Sequence, residues 1–364
     1  MRTIASLVAV MALTILTFPP SSSLSAQDRV PTATLIPAMT ITLSGSVDSN
    51  SPLLWDLVQG RDGLSVLTSF NGWPSRHFGN QLQTLSGLGR VTFEAPPPHG
   101  VWMEAIVRAD NGTWYGYYHN ERPADECADP SRVLPRIGAA RSDDFGATWQ
   151  DLGVILEAPA NWYDCDTTNR YFIGGVGDFS VVLDPDQRYL YLFFSQYADR
   201  EQTQGVAVAR MPWAFRDRPR GRLAVWWRGS AWVPPRITRS SEGTEYSYPA
   251  GVPIYPARDG WHEDQTVDAF WGPSVHWNTY LEQYVMLLNH ASDPNFRQEG
   301  IYVAFSRSLE DPTSWSEPRR LLTGGEWYPQ VVGIEPGTGT DKIADERARL
   351  FISGRSRHFI QFSR

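Results

Sequence analysis

The chain has 364 residues, 41% of them hydrophobic and 13% aromatic, and a formal charge of −8. That charge disfavours nucleic acid or an anionic membrane as partner. Lys342 is the only lysine, so Schiff-base and lysine-nucleophile chemistry could rest on that residue alone.

The first element is a leader. Arg2 precedes an apolar run, Ile4 to Phe18, which Pro19 and Pro20 break before the small-residue stretch "SSSLSA" ending at Ala26. This is the pattern of a secretory signal peptide over residues 1–26, too short for a stable transmembrane helix. A soluble, secreted or periplasmic protein is expected to start near Gln27, as one domain over 27–364 and as a monomer.

From there helical periodicity is nearly absent. Short β-branched and aromatic runs recur between Gly, Asn, Asp and Pro turns, the signature of strands and hairpins. "LLWDLVQGRDGLSVLTS" is a first hairpin, and "WMEAIVRADNGTWYGYYHN", with Asn-Gly at its turn, a second. "FSVVLDPDQRYLYLFFS" and "PSVHWNTYLEQYVMLLN" repeat the design. A third strand closing on a Trp follows three of them: "IGAARSDDFGATW", "GVAVARMPW" and "GIYVAFSRSLEDPTSW". Their tryptophans, Trp149, Trp213 and Trp315, are expected to pack between sheets.

Repetition at this period, in strands only, predicts an all-β, five-bladed β-propeller rather than a β-sandwich. First strands are expected near Leu54, Trp102, Gly177, Trp271 and Trp327. The last unit, "WYPQVVG", "ARLFISG" and "RHFIQFS", lacks a strand that "ATLIPAMTITLSG" near the N-terminus can supply, closing the ring. Residues from Gly229 to Asp264 read as a long functional loop. Cys127 and Cys165, in polar loops of an exported chain without metal-ligand spacing, are expected to form a disulfide, and no zinc site.

Inner strands of a propeller start around one end of a central channel. Asp56, Glu104 and Asp178 lie at those starts in three consecutive units. Acids brought together repel, so one carboxyl can hold its proton near neutrality. One protonated and one ionised carboxyl are what glycoside hydrolysis requires. Gly174, Gly175 and Gly177 before Asp178 would leave room for a sugar ring, against which Trp55, Trp102 and Trp271 would stack. His119, Asp166, His276, Gln330 and Arg355 are further candidate substrate contacts. The working assignment is Asp56 as general base, Glu104 as acid and Asp178 as orienting group, with the last two roles interchangeable. No cofactor is required; a structural calcium or sodium ion in the channel is an option.

"SDDFGATW", Ser142 to Trp149, is similar to the Asp box of sialidases, a turn motif remote from catalysis, so Asp144 receives no catalytic role. The overall plan resembles the five-bladed glycosidases of glycoside hydrolase family 43 and the invertase-like family 32. The resemblance implies a carbohydrate substrate and, for family 43, inner acids in the order Asp, Asp, Glu acting as base, pKa modulator and acid. It therefore implies that Asp56 is the base, while Glu104 and Asp178 exchange residue type relative to that order. Inversion of configuration is likewise what family 43 implies. Two other readings stand beside it: a glycan-binding propeller without turnover, and a sialidase-like exo-glycosidase, which would crowd the channel mouth with arginines.

Overall fold

The computed structural model describes residues 30–364 apart from 59–60, 130, 228, 242, 264 and 336–337, and excludes the side chains of 56–58 and 61–62. The expected leader, residues 1–26, lies outside the described residues. Five sheets, antiparallel apart from one short parallel strand in each of two of them, form a five-bladed β-propeller. Their inner strands are Leu53–Val58, Gly100–Arg108, Val176–Leu183, Ala269–Asn278 and Pro329–Gly333, in blades I to V. Each starts within a few residues of the position expected from the sequence.

The reason for a ring is visible in where the apolar side chains go. Both faces of the inner strands of blades II to V are buried; Val176–Leu183 is covered along nearly its whole length. A sheet apolar on both faces must be sandwiched between neighbours. Five separate cores do this, one per interface: Met103 and Trp149 between I and II, Phe179 and Leu192 between II and III, Phe193 and Met286 between III and IV, Val331 and Phe362 between IV and V, and Leu53 and Phe351 between V and I. Trp149, Trp213 and Trp315 are all buried in them.

Thr32–Thr42 supplies the outer strand of blade V, antiparallel to Arg355–Ser363, so both ends of the described chain meet in one sheet. At the Ser142–Thr148 turn, Asp144 Oδ1 accepts from the Ala147 and Thr148 N–H groups while Ser142 Oγ donates to it. Cys127 and Cys165 form the disulfide, linking the loop after the second strand of blade II to the loop before blade III. No helix among the described residues is long and apolar enough to cross a membrane.

The segment 229–264 departs from expectation. It is not one loop: Ala231–Val233 extends blade III, Arg236–Ser240 and Gly243–Ser247 form an exposed hairpin, and Tyr255–Pro256 pairs with the third strand of blade III. Its strands are short and interrupted by Pro, Ser and Gly, so each falls below the length at which alternation declares itself.

Candidate active site

The inner strands of blades II, III and IV lose register with their second strands at equivalent points. In blade II the extra residue is Glu104, between Met103 and Ala105; in blade III it is Asp178, between Gly177 and Phe179; in blade IV it is Gly272–Pro273. A bulge re-aims a side chain and takes a backbone N–H out of its own ladder. Neighbouring blades satisfy the backbone there: Ser69 Oγ accepts from Met103 N at 2.9 Å, Glu104 Oε2 from Phe179 N at 2.8 Å, and Ser195 Oγ from Gly272 N at 2.8 Å. The bulges are thus stitched from blade to blade around the mouth. Asp178 has φ 42° and Tyr328 φ 59°. Left-handed conformations in non-glycine residues cost about 1–3 kcal/mol and persist where surroundings impose them.

Above the bulges opens a cavity of about 240 Å³. Its carboxylates are Asp48, Glu104, Glu121 and Asp178; its other lining is aromatic, with His119. No arginine lines it among the described residues. The aromatic wall (Trp271, Trp327, Tyr328, Phe296) is packed edge to face, Trp271 against Trp327 at 5.7 Å and against Phe296 at 5.0 Å.

Burial lifts the Glu104 carboxyl to about 8; the Asp178 and Asp48 charges add to that, against His119 and the Phe179 N–H. It holds a proton at neutral pH. Burial raises Asp178 on balance, opposed by His119, by Tyr197 donating to its Oδ2 at 2.8 Å and by Tyr328 donating to its Oδ1 at 3.2 Å. Burial raises Asp48 as well, opposed by N–H donors from Asn71 at 2.9 Å and the Trp102 indole at 2.8 Å. At His119 burial disfavours an imidazolium, yet the hydrogen bond to Glu121 and the charges of Asp178, Glu121 and Glu104 outweigh it, lifting the ring to about 9. Geometry opposes that protonation: Asp178 N donates to Nδ1 at 3.2 Å and needs it bare. The hydrogen bond is the sharper constraint, and it assigns the neutral ring, with its proton on Nε2 facing Glu121 at 3.2 Å.

Of the residues expected at the site, Glu104, Asp178, Trp102, His119 and Trp271 come together in this cavity. Among the described residues the carboxylate that the chain near blade I brings to the cavity is Asp48, eight residues before Asp56. Asp56 lies within Leu53–Val58, opposite Gly63, and its side chain is outside the described residues. Trp55 faces a different cavity between blades V and I. Gln330 is buried and pins Ser51, accepting from its N–H at 2.8 Å and donating to its carbonyl at 2.7 Å. His276 is buried against Phe362, and burial, with Lys342 nearby, pushes its pKa down to about 3. Arg355 is exposed in a groove between blades IV and V, and Asp166 on a surface loop. The glycines before Asp178 serve the protein rather than a ligand. A Cβ on Gly177 would lie 2.5 Å from His119 Cε1, and one on Gly175 2.6 Å from Pro135 Cδ.

Sequence reasoning missed Asp48, Glu121, Tyr171, Phe172, Tyr197, Phe296 and Tyr328. Asp48 sits in "SVDSNSP", a polar turn indistinguishable from any surface loop. Glu121 follows His119 by two residues on the same strand and so shares its face, a signal that was there to use.

Glu104, His119 and Asp178 offer ligand atoms within 4.8 Å of one another. Both His119 nitrogens are engaged, Nδ1 by the Asp178 N–H and Nε2 by Glu121. Lys342 Nζ pairs with Asp341 at 2.9 Å and reaches Ser180 on blade III, while Asp341 accepts from Leu53 N on blade I.

No family model and no curated relative matches the chain. Among solved structures it is similar to an endo-arabinase from Bacteroides thetaiotaomicron, at 12% identity and TM-score 0.48, covering 88% of this chain and 96% of that one. A GH43_1 enzyme from Xanthomonas citri gives 14% identity and TM-score 0.47, over 91% and 90%. The Penicillium chrysogenum α-L-arabinanase gives 13% and 0.46, over 87% and 83%. One architecture hosts many activities, so function has to come from the site itself.

Proposed function

We propose that the protein is a glycoside hydrolase acting on an oligo- or polysaccharide outside the cytoplasm. What supports this is a buried Glu104, its carboxyl lifted to about 8, beside the carboxyls of Asp48, Glu121 and Asp178 in an aromatic-walled hollow. Glu104 donates its proton to the departing glycosidic oxygen. Asp48, in the place first given to Asp56, is the general base that activates water. Asp178 orients the sugar, and its charge holds the Glu104 proton in place. His119 donates its Nε2–H as a hydrogen bond to Glu121 and accepts the Asp178 N–H on Nδ1, fixing that backbone. Trp102 and Trp327, both half-buried at the cavity, offer their rings to the apolar side of a sugar, with Trp271 packed behind Trp327. The cavity is smaller than the roughly 300 Å³ at which drug-sized sites begin, which suits one sugar unit held at depth.

The test is release of reducing sugar from arabinans, xylans, agars and sialosides by the purified chain, with Asp48→Asn and Asp56→Asn compared. Asp48→Asn is expected to lower turnover about 10³-fold, in the range of a lost acid or base, and Asp56→Asn far less. Binding without turnover across the whole panel would instead identify a glycan-binding propeller.

A further inference from the structure

A second cavity, of about 470 Å³, lies between blades V and I at the far end of the inner strands. In blade V, Tyr328 borders the catalytic cavity and Gly333 the second one. Five residues of extended chain, about 17 Å, separate them. Trp55 is 44% exposed here although it belongs to an inner strand. An exposed indole at a propeller's end has no packing duty.

Facing it is the loop that carries Asn80, Gln81 and Gln83, all exposed. Asn80 Oδ1 accepts from Thr84 Oγ1 at 3.1 Å, which leaves its NH₂ group free to donate. The Gln81 and Gln83 carboxamides have no partner among the described residues. Three amides around an indole offer donors and acceptors at the edge of a flat apolar surface. A sugar ring has the complementary form: one apolar face and a rim of hydroxyls.

The third component is Arg349, only 6% exposed. Its Nη1 donates to Met39 O at 2.9 Å, and its guanidinium lies 4.2 Å over the Phe359 ring. No carboxylate pairs with it among the described residues; Glu335, on the same rim, is exposed and forms no ion pair with it. Burial lowers its pKa, and no charge among the described residues offsets that. Buried cations are ordinarily paired, and planar bidentate capture of a carboxylate is the task arginine suits best. Met39 and Phe359 use one N–H and one ring face, leaving donors directed at the cavity.

We propose that this cavity is a second, non-catalytic carbohydrate site that takes a uronate-bearing glycan. The sugar face lies on Trp55, its hydroxyls meet Asn80, Gln81 and Gln83, and its carboxylate meets Arg349. The choice of a glycan rests on the glycosidase reading of the first cavity. The site holds an acidic chain on the surface remote from the catalytic mouth and so raises its local concentration there.

Calorimetric titration in the Asp48→Asn background tests this with tetragalacturonic acid, xylotetraose and a tetra-aspartate peptide. Tetragalacturonic acid is expected to bind at least about tenfold more tightly than xylotetraose, and the peptide not at all. Trp55→Ala should weaken tetragalacturonic acid at least about tenfold, with a melting temperature close to that of its parent. Arg349→Gln should erase the preference for the acidic sugar. Gln81→Ala with Gln83→Ala, at two exposed positions, is the second variant if Arg349→Gln does not fold, and should also weaken the acidic sugar. Equal affinity for acidic and neutral sugars, equal affinity for the peptide, no binding, or affinity unmoved by Trp55→Ala overturns the proposal. Failure of the two readings is separable. Trp55-dependent binding without hydrolysis of any glycan removes only the catalytic one, and hydrolysis without Trp55-dependent binding removes only this one.

Discussion

Blades II and IV use the same backbone device at the mouth and fill it differently. Both inner strands bulge where the channel opens, but blade II places Glu104 at the bulge and blade IV places Gly272 and Pro273. Blades I to III therefore form an acidic half, and Trp271, Trp327 and Tyr328 from blades IV and V an aromatic half. A bulge supplies an aimed position; the residue type there decides whether it performs proton chemistry or makes a wall. The polarity is useful, because the aromatic half withdraws water from the acids and so raises their pKa values.

Breaking the acidic half should have the largest effect. Glu104→Gln is expected to cut turnover about 10³-fold. In the wild type, activity should fall as pH rises through about 8, where Glu104 loses its proton. The same group sets a stability trend. Its folded pKa lies above the ordinary 4.5, so its contribution is complete below about pH 4.5 and is lost as pH rises through about 8. Thermal melts at pH 5 and pH 9 should show the Glu104→Gln variant losing less stability over that interval than its parent. An identical loss in both would deny the buried proton.

Next comes the bulge of blade IV. Gly272 has φ +54°, and a Cβ there would lie 2.5 Å from Asn289 Nδ2. Gly272→Ala should cost about 1–2 kcal/mol from the left-handed backbone alone, read by denaturant unfolding. Activity should fall with it, since Gly272 N is tied through Ser195 Oγ to the Asp178 carbonyl. Full activity in this variant would show that the two halves are mechanically independent.

Tyr328→Phe sharpens the boundary between the halves. It removes one of the two hydroxyl donors to Asp178, the 3.2 Å one. The Asp178 carboxyl should then titrate higher, shifting the acid limb of the pH–rate profile upward, with turnover reduced about tenfold. The smallest effect belongs to Arg355→Ala, within about twofold of wild type, because Arg355 stands in the exposed groove between blades IV and V. A large loss there would extend the site beyond the cavity.

What could be read along the chain was whatever depends on nearest neighbours. Alternating runs and Asn-Gly or Asp-Pro turns defined hairpins, and five repeats of a hairpin apolar on both faces leave a ring as the way to bury them. Glu104 and Asp178 were recognisable because a carboxylate inside an apolar strand is costly and so conspicuous. Asp48 was invisible for the opposite reason: in a polar turn an acid costs nothing, and only closure of blade V on blade I, with Gln330 gripping Ser51, swings that turn over the mouth. Trp55 shows the same limit. Its strand was predictable, but which end of the channel it faces was not, because one residue's shift in register reverses every side chain. Local chemistry is written residue by residue; the meeting of side chains from five sheets depends on backbone placement summed over the whole ring, and only the tertiary structure performs that sum.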